Sequence, residues 1–373
     1  MKKVLSVVLA LALLAAIAVG CANVTAQPDT PLSTVPQQEA PAPTPSPAPV
    51  PATTADGQDA AEDDEPEQVG AQRPVIISVE ELIPIFEDEN VILIGAISPA
   101  AALVPFSNAA NPIRGSFLVW TDDIYGPDPT LLSSDLGFGR IPASQWEDLL
   151  SRTGGTPDST FVVYHSDAAA VGARVAWHLY QLGLDVRFLD GGVAAWRAAN
   201  GRTGSSTRLT SQPVRGEFRA PNYDPSINNV TLQEVMDAAQ DQAQWVIVDT
   251  RTLAEYNGEH TSSSSGGFGT GRIKDSVHIE WTRLHDEDGF VLPEDELLEI
   301  FSFIGDRNVI VFCQGGIRSS YSWIVLRDLG YNVRNFDGSW IEWSYALSSA
   351  SDFPKDVISG LTELWSDNGA VIR

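Results

Sequence analysis

The residues best suited to chemistry lie together in "VIVFCQGGIRSSYSW", Val309 to Trp323. Cys313 follows an apolar β-branched run and precedes Arg318, with four residues, Gln314 to Ile317, between them. A thiol reacts as its thiolate, which is favoured where backbone amides and positive charge converge. Gly315 and Gly316 let the chain curl so that successive N–H groups point inward, at the start of a helix whose dipole also favours an anion. Arg318 adds a permanent charge on a planar fork suited to an oxyanion. A helix start disfavours a cation, so Arg318 needs a bound anion or a carboxylate partner. An isolated cysteine is usually a small buried hydrophobe. A strand, Gly-Gly-x-Arg and a helix in one stretch outweigh that reading.

The elements that position this loop occur twice. "DVRFLDGGVAAW" (Asp185 to Trp196) is echoed by "NVRNFDGSWIEW" (Asn332 to Trp343), with Asp190 and Asp337, and Trp196 and Trp343, each 147 residues apart. Upstream, "FVVYHSD" answers "VIVFCQG" and "NVILIGAI" answers "WVIVDTR". The 147-residue offset shared by several residue types marks a duplicated unit, and the "FVVYHSD" and "VIVFCQG" pair lies at 148. The runs "VILI", "FVVY", "VIVD" and "VIVF" read as central strands covered on both faces. "SVEELIPIF" and "TLQEVMDAA" read as opening helices capped by Ser78 and Thr231. Alternating strands and helices predict an α/β fold with a parallel sheet in each unit and sites at the carboxyl ends of strands. The helix after Arg318 is expected to bury a stripe of Trp323, Leu326 and Leu329. In the first unit Gly95, Ile97 and His165 stand where the second has Asp249, Arg251 and Cys313, so only the second carries a nucleophile. His165 reads as a partly buried structural histidine, with a ligand or acid–base role as the alternative.

The chain has 373 residues and 43% hydrophobic composition, enough for two domains with real cores. Its 49 acidic against 23 basic residues give a formal charge of −26, which argues against nucleic acid as a partner. Lys2, Lys3, an apolar run from Val4 to Val19 and Gly20-Cys21 read as a signal peptide over 1–20. "AVGC" resembles a bacterial lipobox, making Cys21 the expected lipid anchor to the extracytoplasmic face of a membrane. Residues 21–72, rich in Pro, Ala and acidic groups, read as a disordered tether. With Cys21 lipidated or removed, Cys313 has no disulfide partner within the chain.

Four motifs resemble one family in its expected order. "CQGGIRSS" is similar to the active-site loop of the rhodaneses, Cys-x-x-Gly-x-Arg or Thr. "IVDTRTLAEYNGE", "GRIKDSVHIEW" and "FDGSWIEW" resemble that family's neighbouring segments, although Arg272 replaces the usual His and Lys274-Asp275 the usual Pro-Gly. The resemblance covers Val75 to Ala350 in the tandem arrangement of thiosulfate and mercaptopyruvate sulfurtransferases. It implies two rhodanese-like domains, an inactive one over 73–205 and a catalytic one over 225–350, followed by a tail over 351–373. It implies a Cys313 persulfide held by loop residues Gln314, Gly315, Gly316, Ile317 and Ser319. Arg251 and Arg318 would position an anionic sulfur donor, or Arg318 would pair with Glu255 to hold the loop. Asp249 would orient the loop by accepting hydrogen bonds. Neither a cofactor nor a metal is expected; the acceptor is cyanide, a thiol or a protein. The four-residue gap before Arg318 is one shorter than in phosphatases sharing the fold and favours sulfur over phosphate. Gln314 and Arg318 favour thiosulfate over 3-mercaptopyruvate, and a carrier or sensor without turnover is the reading from another class.

Overall fold

The β-branched runs become the inner strands of two parallel sheets. The computed structural model describes residues 75–97, 111–126, 132, 139–259, 268–349, 351–365 and 371–372, all within one compact unit, Pro66–Arg373. The expected signal peptide, Cys21 and the tether to 72 lie outside the described residues. In the first half, β1 (Ile76–Ile77), β2 (Val91–Ile97), β3 (Phe117–Trp120), β4 (Thr160–His165), β5 (Asp185–Leu189) and β6 (Thr207–Arg208) form one sheet. Its order is β1-β5-β4-β2-β3-β6, every neighbouring pair parallel. In the second half, β7 (Trp245–Asp249), β8 (Val277–His278), β9 (Asn308–Phe312) and β10 (Val333–Asn335) form a parallel sheet in the order β8-β7-β9-β10.

The sequence echo is an echo of register. Val91 pairs with Thr160 as Trp245 pairs with Asn308. Phe161 pairs with Val186 as Val309 pairs with Val333. The Ile76–Phe188 pairing of the first edge survives in the second half as a single bridge, Asn229 to Asn335. The opening helices start as their sequences predict. Ser78 caps α1 (Val79–Leu82) and Thr231 caps α3 (Leu232–Gln240), and in each the N3 glutamate, Glu81 or Glu234, accepts the cap's own amide. Between them lies α2 (Ala169–Tyr180).

In the helix after the cysteine loop, α4 (Ile317–Asp328), Trp323 and Leu326 are buried with Leu329 packed beside them as expected, but burial is not confined to that stripe. Ser319 through Leu326 are all buried, because α4 covers its own sheet on one side and α2 of the first half on the other. Tyr180 and Trp323 stack edge to face at 5.2 Å, and Arg327 donates to the Tyr180 hydroxyl at 2.6 Å. Asp328 accepts from the amides of Val75 and Ile76 at 2.7 and 2.9 Å. One apolar cluster runs continuously through both halves here. The segment beyond 350 also departs from its expectation as a tail. Thr362–Trp365 pairs antiparallel with Gly271–Ile273, and Ile358 packs among Trp340 and Trp343 of α5 (Ser339–Leu347). Among the described residues no helix is long and apolar enough to cross a membrane.

Candidate active site

Cys313 leaves the carboxyl end of β9 and is 1% exposed. The loop turns through Gly316, whose φ of 78° lies in the left-handed region, and enters α4 at Ile317. Ser319, in the first turn of α4, donates its hydroxyl to the Cys313 sulfur at 3.5 Å. Burial pushes the thiol's pKa up, but Arg318, the Ser319 hydroxyl and amide, and the Gly315 amide outweigh it. The net result holds Cys313 below the ordinary thiol value. The Gly316 amide is not free to face the sulfur, as the expected cradle from Gln314 to Ser319 requires. It donates to Ser339 Oγ at 3.0 Å, and the same oxygen accepts the Cys313 amide at 3.2 Å. Ser339 in turn donates to the Phe336 carbonyl at 2.7 Å. The Gln314 carbonyl accepts from Ile341, while its carboxamide is buried without a hydrogen-bond partner among the described residues.

The two candidate arginines have different fates. Arg318 makes a two-pronged pair with Glu255, at 2.6 and 2.9 Å. That is the carboxylate partner its place at a helix start demands. Glu255 also accepts the Thr252 amide and hydroxyl at 3.0 and 2.8 Å, so it caps one helical turn while anchoring another. Burial would raise its pKa, yet Arg318 and Thr252 bring it down to about 2. Arg318 keeps its charge close enough to Cys313 to stabilise the thiolate. Arg251 does not line the loop as a donor clamp. It is 2% exposed, paired with Asp249 at 2.6 Å, donating to the Gly271 carbonyl at 2.9 Å, and set between the rings of Phe312 and Trp340. Asp249 accordingly spends its oxygens on the Arg251 amide and guanidinium rather than on the cysteine loop. A buried charge this well paired braces the core beneath β7 and β9.

A family model described as a rhodanese-like domain matches residues 231–346. The chain is 31% identical over 238 residues to the thiosulfate sulfurtransferase of Corynebacterium glutamicum, spanning 60% of this chain and 73% of that protein. It is 31% identical over 216 residues to the sulfur carrier protein TtuD of Thermus thermophilus, spanning 54% and 74%. The chain belongs to the rhodanese family. Its fold matches the crystal structure of SseA from Escherichia coli, a 3-mercaptopyruvate sulfotransferase, with a TM-score of 0.57 at 23% identity over 72% of this chain and 100% of that one.

In this rhodanese the first half carries other residues at the positions of Asp249, Arg251 and Cys313. Gly95 stands where Asp249 would be, and a Cβ there would meet the Tyr164 hydroxyl at 2.5 Å. Tyr164 fills that space and bonds Ser116 at 2.6 Å. His165, at the place of Cys313, stacks on Phe188 with 5.9 Å between ring centres. Its Nε2 is buried without a hydrogen-bond partner among the described residues. Burial pushes its pKa down to about 4, with Asp167 opposing and His285 adding to the shift. Sequence reasoning missed Ser339. Its signal was available: the echo puts Gly192 at this position, and Ser339 keeps the same left-handed backbone, φ 51° against 56°, at a cost glycine avoids.

Proposed function

We propose that this rhodanese moves sulfane sulfur from thiosulfate to cyanide or a small thiol through a persulfide on Cys313. The observation that carries the proposal is the buried thiol whose ionisation is favoured by Arg318, Ser319 and the Gly315 amide. The Cys313 thiolate attacks the outer sulfur of thiosulfate; the new S–S bond forms as the old one breaks, and sulfite leaves with its electron pair. Cyanide then attacks the outer persulfide sulfur, forming thiocyanate and returning the thiolate. Arg318 supplies positive charge to both anionic states while Glu255 holds it in place. The relative TtuD, named a sulfur carrier protein, supports a second reading in which a protein thiol takes the sulfur. Thiocyanate production from thiosulfate and cyanide tests the main reading: the wild type turns over and Cys313→Ser does not. Equal rates would remove Cys313 from the reaction. We further infer export and lipid anchoring through Cys21, supported by Lys2-Lys3, the apolar run and "AVGC". Membrane fractions should lose the protein on Cys21→Ala.

A further inference from the structure

Arg174 belongs to the half without a nucleophile, yet it ends against the loop that has one. It lies on α2, is 0% exposed, and places Nη1 2.5 Å from Asp337 Oδ1, itself fully buried. The same nitrogen donates to the Gly316 carbonyl at 3.3 Å, an oxygen that also accepts from Ser320 and Asn335 at 2.7 and 3.2 Å. Gly316 is packed onto this pair. A Cβ there would meet Arg174 Nη1 and Asp337 Oδ1 at 2.7 Å each and the Asp337 carbonyl at 2.8 Å. Trp177 and Tyr125 flank the guanidinium, with ring centres 4.7 and 5.9 Å from its carbon. The asymmetry between halves is informative. α2 and α4 each have 12 residues and align at an offset of 148, which puts Ser322 where the first half has Arg174. The arginine is present on the helix that faces the cysteine loop and absent from its counterpart.

We propose that Arg174 is a positioning residue for Cys313: reaching from the first half, it holds the Gly316 carbonyl and neutralises Asp337 beside the loop, keeping the Gly315 and Ser319 amides turned to the sulfur. The inference rests on Cys313 as the sulfur-carrying residue. It gives the first half a part in the chemistry although that half has no nucleophile. The charged and titratable groups around the thiol are Arg318 with Glu255 on one side and Arg174, Asp337 and Tyr125 on the other. Arg140 and His178 stand behind Arg174.

The test is the pH dependence of Cys313 alkylation by iodoacetamide in the full chain, followed on the Cys313 peptide by mass spectrometry. Asp337→Asn removes a negative charge and leaves the pin, so the thiol's pKa falls. Arg174→Met removes the pin and exposes the thiolate to an unbalanced carboxylate, so the pKa rises by about one unit, a tenfold loss of rate at low pH. Arg174→Met/Asp337→Leu restores neutrality without the pin and lies between the parent and Arg174→Met. A merely structural pair predicts no such order. If Arg174→Met does not fold, the double variant and Asp337→Asn still bracket the parent. Folded variants that titrate with the parent, or two single variants that shift the same way, overturn the proposal. A chain that shows the predicted order but forms no persulfide from thiosulfate keeps the positioning role and loses the donor.

Discussion

At Cys313 burial and charge pull in opposite directions, and the second wins. Removing the charge should reverse the outcome. Arg318→Gln is expected to move alkylation of Cys313 to higher pH by about one unit; an unshifted curve contradicts an electrostatic role for Arg318. On the proposed mechanism the sign carries over to activity: a depressed thiol pKa keeps the thiolate available for persulfide formation to a lower pH than an ordinary cysteine allows. Cys313, the glycines and Arg318 were legible because their chemistry is local, packed into one loop. Ser339 was not, because its two bonds to the loop are made across 26 and 23 residues of sequence. Ser339→Gly relieves the left-handed backbone but leaves two buried amides without an acceptor, a cost of about 1–3 kcal/mol each. It should lower the melting temperature and slow sulfur transfer; unchanged turnover would show that the hydroxyl is dispensable. Arg251 and Asp249 were read as site residues from their motif. Their charges instead satisfy each other inside the core, which only the packing of Phe312 and Trp340 around them shows.

Among elements, the strands were the most legible, since β-branched runs at repeated spacing have few alternatives in an α/β chain. The helix α4 was harder. Its sequence carries serines, Tyr321 and Trp323 around its whole circumference, a pattern that makes sense only for a helix enclosed on two sides. The junction between loop and helix is correspondingly intolerant. Gly316→Ala forces a side chain into a left-handed position against Arg174 and Asp337. Calorimetry should find at least about 2 kcal/mol of lost stability, and a variant as stable as the parent would contradict this packing. The short turn Leu253–Tyr256 is tied to α4 by Glu255. Glu255 has its pKa depressed from 4.5 to about 2, so it contributes stability above pH 4.5 that is lost as pH falls toward 2. Glu255→Gln should flatten that part of the acid unfolding curve; a slope equal to the parent's counts against the pairing.

For the whole molecule, the duplication was legible and its consequence was not. The echo specifies two similar units but says nothing of how much each buries against the other. The shared cluster holding Tyr180, Trp323, Phe188 and Tyr321, with Arg174 and Asp337 beside it, makes the interface part of the core. Expressed alone, residues 225–373 should therefore aggregate or fold loosely, and a soluble, cooperatively melting fragment would contradict that view. His165, buried in the first half with its pKa lowered from 6.5 to about 4, favours the folded state above pH 6.5 and withdraws that support as pH falls toward 4. The proposed sulfur transfer stands on one thiol. Intact-mass analysis of the full chain after thiosulfate, with sulfite measured alongside, addresses it most directly. One added sulfur on Cys313, one sulfite released per chain and no adduct in Cys313→Ser are the predicted results. An unmodified wild type, or an equal adduct in Cys313→Ser, would contradict sulfur transfer through Cys313.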